Sequence, residues 1–201
     1  LIIDKESDLA GLSQSLRDSA AEAAKEAKMP GKWVFSNTRS SIEPFLVFAD
    51  NRVLREKCWR MWVNRGNNND KNDNKAIAGE ILQLRAERAK LLGFQTHAHW
   101  IVADNMAKTP EAAMGLMMKV WPAAVAAVKE DVAAMQELAD KEGGNFKIEP
   151  WDYRYYAEKV RKAKYDIDQN EVKAYLQLDK MVEFSGLGEA TGIPTTTDSS
   201  C

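Results

Sequence analysis

The stretch KAIAGEILQLRAERAKLLGF, residues 75–94, reads as a long amphipathic helix with its stop signal attached. Ile77, Ile81, Leu84 and Leu91 recur at helical spacing, and Ala78, Leu82, Ala89 and Leu92 widen the stripe beyond a narrow coiled-coil seam. Such a face is expected to be buried, with Glu80, Arg85, Glu87, Arg88 and Lys90 solvated opposite. Gly93 supplies the left-handed residue that ends helices of this kind, and Phe94 can fold back on the last turn as the apolar contact of a Schellman motif. The other elements are then expected to pack as layers around this helix.

Working outward toward the start, residues 8–29 are rich in Ala, Glu, Lys and Leu, and Leu9, Leu12, Leu16, Ala20, Ala23 and Ala27 mark one face of a first helix. Met29-Pro30-Gly31 ends it. Trp33, Val34 and Phe35 have strand character but no evident partner nearby, so an extended connector is expected. Ser40, Ser41 and Pro44 suggest hydroxyl caps before a first-turn proline, with Phe45, Leu46, Phe48 and Ala49 continuing as a short helix. Asp50 or Asn51 can cap the next helix, whose Val53, Leu54, Cys58, Met61 and Trp62 share a side. Gly66 closes it, and the Asn-rich run 67–74 is expected to be a mobile loop.

Working outward toward the end, Thr96 can cap a short helix reaching Met106, and Thr109-Pro110-Glu111 combines cap, first-turn proline and first-turn acid. The helix it opens is the longest, with Ala113, Met117, Val120, Ala124, Val128, Met135 and Leu138 on its buried face and Gly143-Gly144 as terminator. Pro122 lies inside it, where the ring should clash with the Met118 carbonyl and bend or divide the helix. Pro150-Trp151-Asp152 opens another helix carrying Tyr153, Tyr156, Ala157 and Val160, and Asp168 with Glu171 has the pattern of a capping box for a short last one. From residue 182 the periodicity fades into Gly, Thr, Ser and Pro, as in an unstructured or non-native end.

The fold class expected is all-α, one compact domain of about seven or eight helices spanning residues 1–181, with Ile81, Leu84, Trp121 and Tyr156 buried and 182–201 a separate tail. The 201 residues are 45% hydrophobic, ample for a core, and a net charge of -2 gives no general attraction to nucleic acid or anionic membrane. Cys58 and Cys201 are the only cysteines, which disfavours a disulfide framework and favours a reducing, cytoplasmic setting without excluding a periplasm. No uninterrupted apolar run approaches a membrane-spanning length and no leader-like order opens the chain, so the covered sequence is expected to be soluble. It begins at Leu1 inside patterned sequence, which suggests a processed chain or a piece of a longer one.

Candidate chemistry is sparse. His97 and His99 are the only histidines, and two residues apart on a helix their side chains diverge by about 200 degrees. No third metal ligand is indicated by spacing, so one ring is expected to pack in a first turn and the other to face water. Met114, Met117 and Met118 are read as core rather than a ligand groove. The basic run Lys159, Arg161, Lys162 and Lys164 with its surrounding tyrosines is interleaved with Glu149, Asp152, Glu158, Asp166 and Asp168, which favours a salt-bridged surface over a nucleic-acid site. Glu130 and Asp131 read as a solvated helix face, and no nucleophile motif, phosphate loop or His-Glu-x-x-His occurs. No residue is therefore assigned a catalytic, cofactor-binding or metal-binding role.

The strings NTRSSIEPFL, DNRVLREKCWRMWVNRG, LRAERAKLLGF, THAHW, MAKTPEAA, KVWPAAVAAVKEDVAAMQELADKEGG and WDYRYYAEKVRKAKYDID resemble the thimet-oligopeptidase-like zinc metallopeptidases, most closely the bacterial peptidyl-dipeptidase (dipeptidyl carboxypeptidase) branch. The resemblance runs from about residue 1 to residue 181. It implies a mainly helical, two-lobed parent that hydrolyses short peptides, releases C-terminal dipeptides, and holds zinc through His-Glu-x-x-His and a later glutamate. Those elements fall downstream of this chain, and His97 and His99 match the family's THAHW helix rather than its zinc motif. The chain alone is thus expected to be inactive, without zinc, and prone to self-association through apolar surface near Trp151, Tyr155, Tyr156 and Tyr175. The competing reading is an independent helical peptide- or protein-binding module.

Overall fold

Leu1 to Ile3 and Trp33 to Phe35 are short runs of apolar and aromatic residues, and they pair: β1 (Ile2–Ile3) lies antiparallel to β2 (Trp33–Val34), with Ile2 opposite Val34 and Ile3 opposite Trp33. The partner that the sequence near Trp33 lacks comes from the chain's own beginning, so the extended connector is a strand after all. Phe35 extends the ladder by donating its N–H to the Leu1 carbonyl at 2.8 Å. The computed structural model describes residues 1–165, 171–172, 175–177 and 180–181. The chain divides into two compact units, residues 1–158 and 159–201, and the packing that follows lies within the first.

Between the strands runs α1 (Gln14–Glu26), capped by Ser13, whose hydroxyl accepts the Leu16 N–H. It is shorter than its periodicity suggests, because a 3-10 turn at Glu6–Leu9 and a tight bend at Gly11 precede it. Gly11 has φ +83, and a β-carbon there would sit 2.0 Å from the Phe48 carbonyl oxygen, so no other residue lets the two segments approach. The Asp50 N–H donates to the Ala10 carbonyl at this crossing.

α2 (Arg39–Phe48) and α3 (Arg52–Val63) complete the core. α2 begins earlier than its hydroxyls suggest. Pro44 is internal, and the Ser36, Thr38 and Ser40 hydroxyls bond one another instead of capping. α3 has the expected cap, with the Asn51 side chain accepting the Leu54 N–H. Ile3, Leu9, Leu12, Ala20, Phe35, Ile42, Phe45, Leu46, Ala49 and Cys58 form one buried cluster. The core stripe of α3 is rotated from the expected one: Val53 is exposed, and Arg55 takes an inward place at 2% exposure.

The Asn-rich loop is tied down: the Asn69 and Lys75 amides both donate to Asp73, the Asn72 amide donates to Asp70, and the Lys75 ammonium reaches Asp73. α4 (Lys75–Leu91), α5 (His97–Val102) and α6 (Pro110–Lys141) follow. Their end signals behave as expected. Gly93 has φ +77 with Phe94 N–H donating to the Ala89 carbonyl, and Thr96 and Thr109 accept the amides of His99 and Ala112. α6 runs undivided through Pro122, since the loss of one hydrogen bond is carried by a 32-residue helix otherwise intact. α7 (Pro150–Tyr165) closes the described fold, which is all-α with seven α-helices among the described residues and one two-stranded ladder. The capping box expected at Asp168 and the tail from 182 lie outside the described residues.

The largest departure from expectation is burial. Ile81, Leu84 and Trp121 are 43%, 55% and 63% exposed, and of the proposed set only Tyr156 is buried. On α4 only Ala89 is buried, and on α6 only Met135 and Ala139, near its end. Met114, Met117 and Met118 are likewise exposed rather than core. From Ala112 to Val128 the only charged residue is Lys119, and by length and composition alone α6 is apolar enough to cross a membrane, although single interruptions hide this from a search for unbroken runs. Among the described residues, the helix read as the organising centre is therefore an exposed layer rather than the core.

What does organise the core is charge. Asp152, in the first turn of α7 and fully buried, accepts from Arg52 Nε and Nη2 at 3.0 and 2.8 Å and from Arg55 Nη2 at 2.9 Å. Arg55 also donates through Nη1 to the carbonyls of Ala49 and Asp50, so one guanidinium ties the end of α2, the cap of α3 and the start of α7. The Phe146 ring lies 4.1 Å from the Arg52 guanidinium and the Tyr155 ring 4.0 Å from that of Arg55. Gln136 of α6 holds the approach to α7 by donating to the Phe146 carbonyl and accepting the Ile148 N–H, both at 2.9 Å.

Replacing Asp152 with Ala leaves two guanidinium groups facing a buried void, a loss of about 3–5 kcal/mol. Against a typical stability of about 5–15 kcal/mol, D152A should lower the urea midpoint severely, whereas E137A on exposed α6 should leave it within error. Cys58 provides a second check. Burial pushes its thiol up from 9.0 to about 12, opposed weakly by the Leu1 ammonium. The protonated thiol is the form the fold accommodates, so its contribution to stability is intact below pH 9 and lost as pH rises toward 12. At about pH 8 Cys58 should resist iodoacetamide until urea unfolds the chain, and rapid native alkylation at that residue would contradict its placement.

Candidate functional site

Three helices that meet at the Asp152 clasp also leave an open cleft. Ile42 and Leu46 of α2, Trp59 and Trp62 of α3, and Tyr153 of α7 line a space of about 690 Å³. The positions follow from helical spacing. Arg55, Cys58, Trp59 and Trp62 fall on one α3 stripe at i, i+3, i+4 and i+7, so the side turned inward by Arg55 also turns the two indoles toward α7. Trp59 meets Trp151 edge-on, with ring centres 5.7 Å apart.

Charge sits at the rim. Glu43 accepts from Arg39 Nε and from Arg154 Nη2, both at 3.0 Å, and Glu149 and Pro150 border the other side. A carboxylate shared by two guanidinium groups fixes both, so Glu43 orients Arg154 at the rim. The cleft is suited to holding an apolar or aromatic side chain with a polar group at its mouth.

The two histidines lie elsewhere, on α5, and are directed to different neighbours. His97 Nδ1 is 3.4 Å from Arg88 and its ring packs near Trp100, where desolvation, with Arg85 and Arg88 adding to it, holds its pKa below the ordinary imidazole value. His99 Nδ1 pairs with the Thr96 hydroxyl at 2.8 Å, and its Nε2 is 3.7 Å from Glu111. Both are half-buried, so neither simply faces water as the sequence suggested. Among the described residues no three His, Cys, Asp or Glu side chains gather into a potential metal site.

Glu130 and Asp131 lie on an exposed face of α6, as expected. Of the tyrosines placed beside the basic run, Tyr153 lines the cleft, Tyr156 is buried, and Tyr155 donates its hydroxyl to Asp50 at 2.8 Å. Tyr156 is therefore part of the core, Tyr155 is half-buried over the Arg55 guanidinium, Trp151 is half-buried against Trp59, and Tyr175 is exposed. Sequence reasoning missed Arg52, Arg55 and Asp152 as a unit and missed the cleft. The arginines and Asp152 are a hundred and 97 positions apart, and the one local signal was an arginine recurring at i and i+3 on an apolar helix face.

Comparison with known proteins places these elements in a family. The sequence is 38% identical over 182 residues to the dipeptidyl carboxypeptidase of Escherichia coli (strain K12), covering 90% of this chain and 27% of that protein. It is 32% identical to oligopeptidase A of Salmonella typhimurium, with 90% and 27% covered, and 33% identical to the organellar oligopeptidase A of Arabidopsis thaliana, with 91% and 24% covered. The chain thus spans about a quarter of the length of the curated relatives it matches. The sequence profile of Peptidase family M3 matches residues 45–192, from the core of α2 through the exposed helices and α7 and beyond, and the chain belongs to that family.

Proposed function

We propose that this chain is a helical, non-catalytic part of a zinc metallopeptidase that hydrolyses short peptides and releases dipeptides from their carboxyl ends. The observation that carries this reading is the identity to a dipeptidyl carboxypeptidase maintained over nine-tenths of the chain, together with the quarter of that protein's length to which it corresponds. The peptidase family supports hydrolytic chemistry in the parent. Zinc, when bound in the parent, would polarise the scissile carbonyl and activate water. The described residues here do not fit that ion, because His97 and His99 are committed to Arg88 and to Thr96 with Glu111, and no third ligand stands beside either. Their role in the parent is structural: they fix α5 against α4 and the start of α6. A cytoplasmic or periplasmic setting suits such a peptidase.

The 201-residue chain should therefore release no dipeptide from a peptide with a chromogenic carboxyl-terminal pair, and after dialysis it should retain far less than stoichiometric zinc. Stoichiometric zinc or measurable dipeptide release would contradict the reading. The source reading frame should encode His-Glu-x-x-His beyond residue 181, and a stop codon near Cys201 would instead favour an autonomous binding module that uses the aromatic cleft.

A further inference from the structure

Two features of α4 and α6 have no explanation among the described residues. The first is apolar exposure: Ile77, Ile81 and Leu84 on α4 and Met114, Met117 and Trp121 on α6 are between 43% and 63% exposed. On α4, Leu82 is exposed as well and widens the apolar face around Ile77, Ile81 and Leu84, while Glu80, Gln83, Glu87 and Lys90 hold the opposite side. An apolar face of that width belongs against another element. The membrane-competent stretch of α6 has none of its residues buried.

The second is glycine. Gly79 and Gly115 sit inside α4 and α6 without positive φ, so no turn or backbone conformation requires them. A β-carbon added at either would meet no atom within 4 Å beyond the helix itself. Glycine inside a helix costs about 1 kcal/mol relative to alanine, and an interior glycine without a neighbour leaves room for another backbone to come close. Gly115 shares a helical line with Met118 and Pro122, all exposed.

We infer that α4 and the N-terminal half of α6 form the face on which the remaining, larger part of the same peptidase polypeptide packs, with closest backbone approach at Gly79 and Gly115. The inference rests on the reading of this chain as part of a longer M3 peptidase. The occupant is argued from length: the chain covers 27% of the dipeptidyl carboxypeptidase it matches, so about three quarters of such a polypeptide lies outside it. The composition of the face agrees, since between Ala112 and Val128 it offers a single charge, Lys119, as a core does and as a transient polar interface does not. By contrast, the cluster around Phe45 and the Asp152 clasp are closed by the chain's own helices.

The test compares the 201-residue chain with the full-length protein encoded by its source gene. Cysteines introduced as Leu84→Cys and Met117→Cys, with Cys201→Ser to silence the end, should react with a small maleimide at nearly free-thiol rates in the short chain and about a hundredfold more slowly in the full-length protein. In the same pair, Gly115→Ala should raise the thermal midpoint of the short chain, whereas Gly115→Leu and Gly79→Leu should lower that of the full-length protein. Equal maleimide rates in the two proteins, or leucine tolerated at both glycines in the full-length protein, would overturn the inference. So would protection that appears only on mixing with phosphatidylcholine and phosphatidylglycerol vesicles, or only in a self-associated short chain. Failure of the underlying reading is separate: it would show as a full reading frame without His-Glu-x-x-His, whereas an active zinc peptidase whose introduced thiols at positions 84 and 117 stay unprotected would refute the packing alone.

Discussion

A single buried carboxylate sets the arrangement of the core. Asp152 lies at the start of α7, a hundred residues from Arg52, and its two oxygens are divided between two guanidinium groups on successive turns of α3. Burying such charges is costly, and the cost is recovered only when every donor is directed and the geometry is close to planar pairing. The clasp therefore specifies orientation more than it adds net stability. With α3 and α7 fixed, Trp59 and Tyr153 must face one another across the cleft, and Gln136 brings the end of α6 to the same place.

A consequence is that the chain has two kinds of packing. Residues before Asn64 enclose one cluster in which Phe35, Phe45 and Cys58 are almost without solvent contact, and Met135, Ala139 and Tyr156 are buried where α6 ends and α7 begins. From Lys75 to Val128, by contrast, the helices keep their caps and hydrogen bonds while their apolar side chains stay in solvent. Local signals suffice to define those helices.

This division also explains what was legible in the sequence. End signals were read correctly because they are local: Asn51, Thr96 and Thr109 cap the helices they precede, and Gly93 stops α4 with Phe94 folded back. All-α character was legible for the same reason. Burial was not, because periodicity shows that Ile81 and Leu84 want an interior without showing whether the same chain supplies it. β1 was missed because its partner lies beyond the whole of α1, and Arg55 because a charged residue on an apolar stripe is ordinarily read as a snorkelling edge. Nor were the side-chain partners of the polar residues legible: Glu43 is held by Arg39 and Arg154, and the two histidines are directed to different neighbours.

The central claim, that a self-sufficient core carries an incompletely covered helical layer, is tested most directly by native-state hydrogen exchange on the 201-residue chain alone. The account predicts that amides of α2, α3 and the Met135–Ala139 turn of α6 exchange only through global unfolding. Those of α4 and of residues 112–128 should exchange through far smaller openings, at rates insensitive to D152A. Uniform protection across both sets, lost together when Asp152 is replaced, would contradict it.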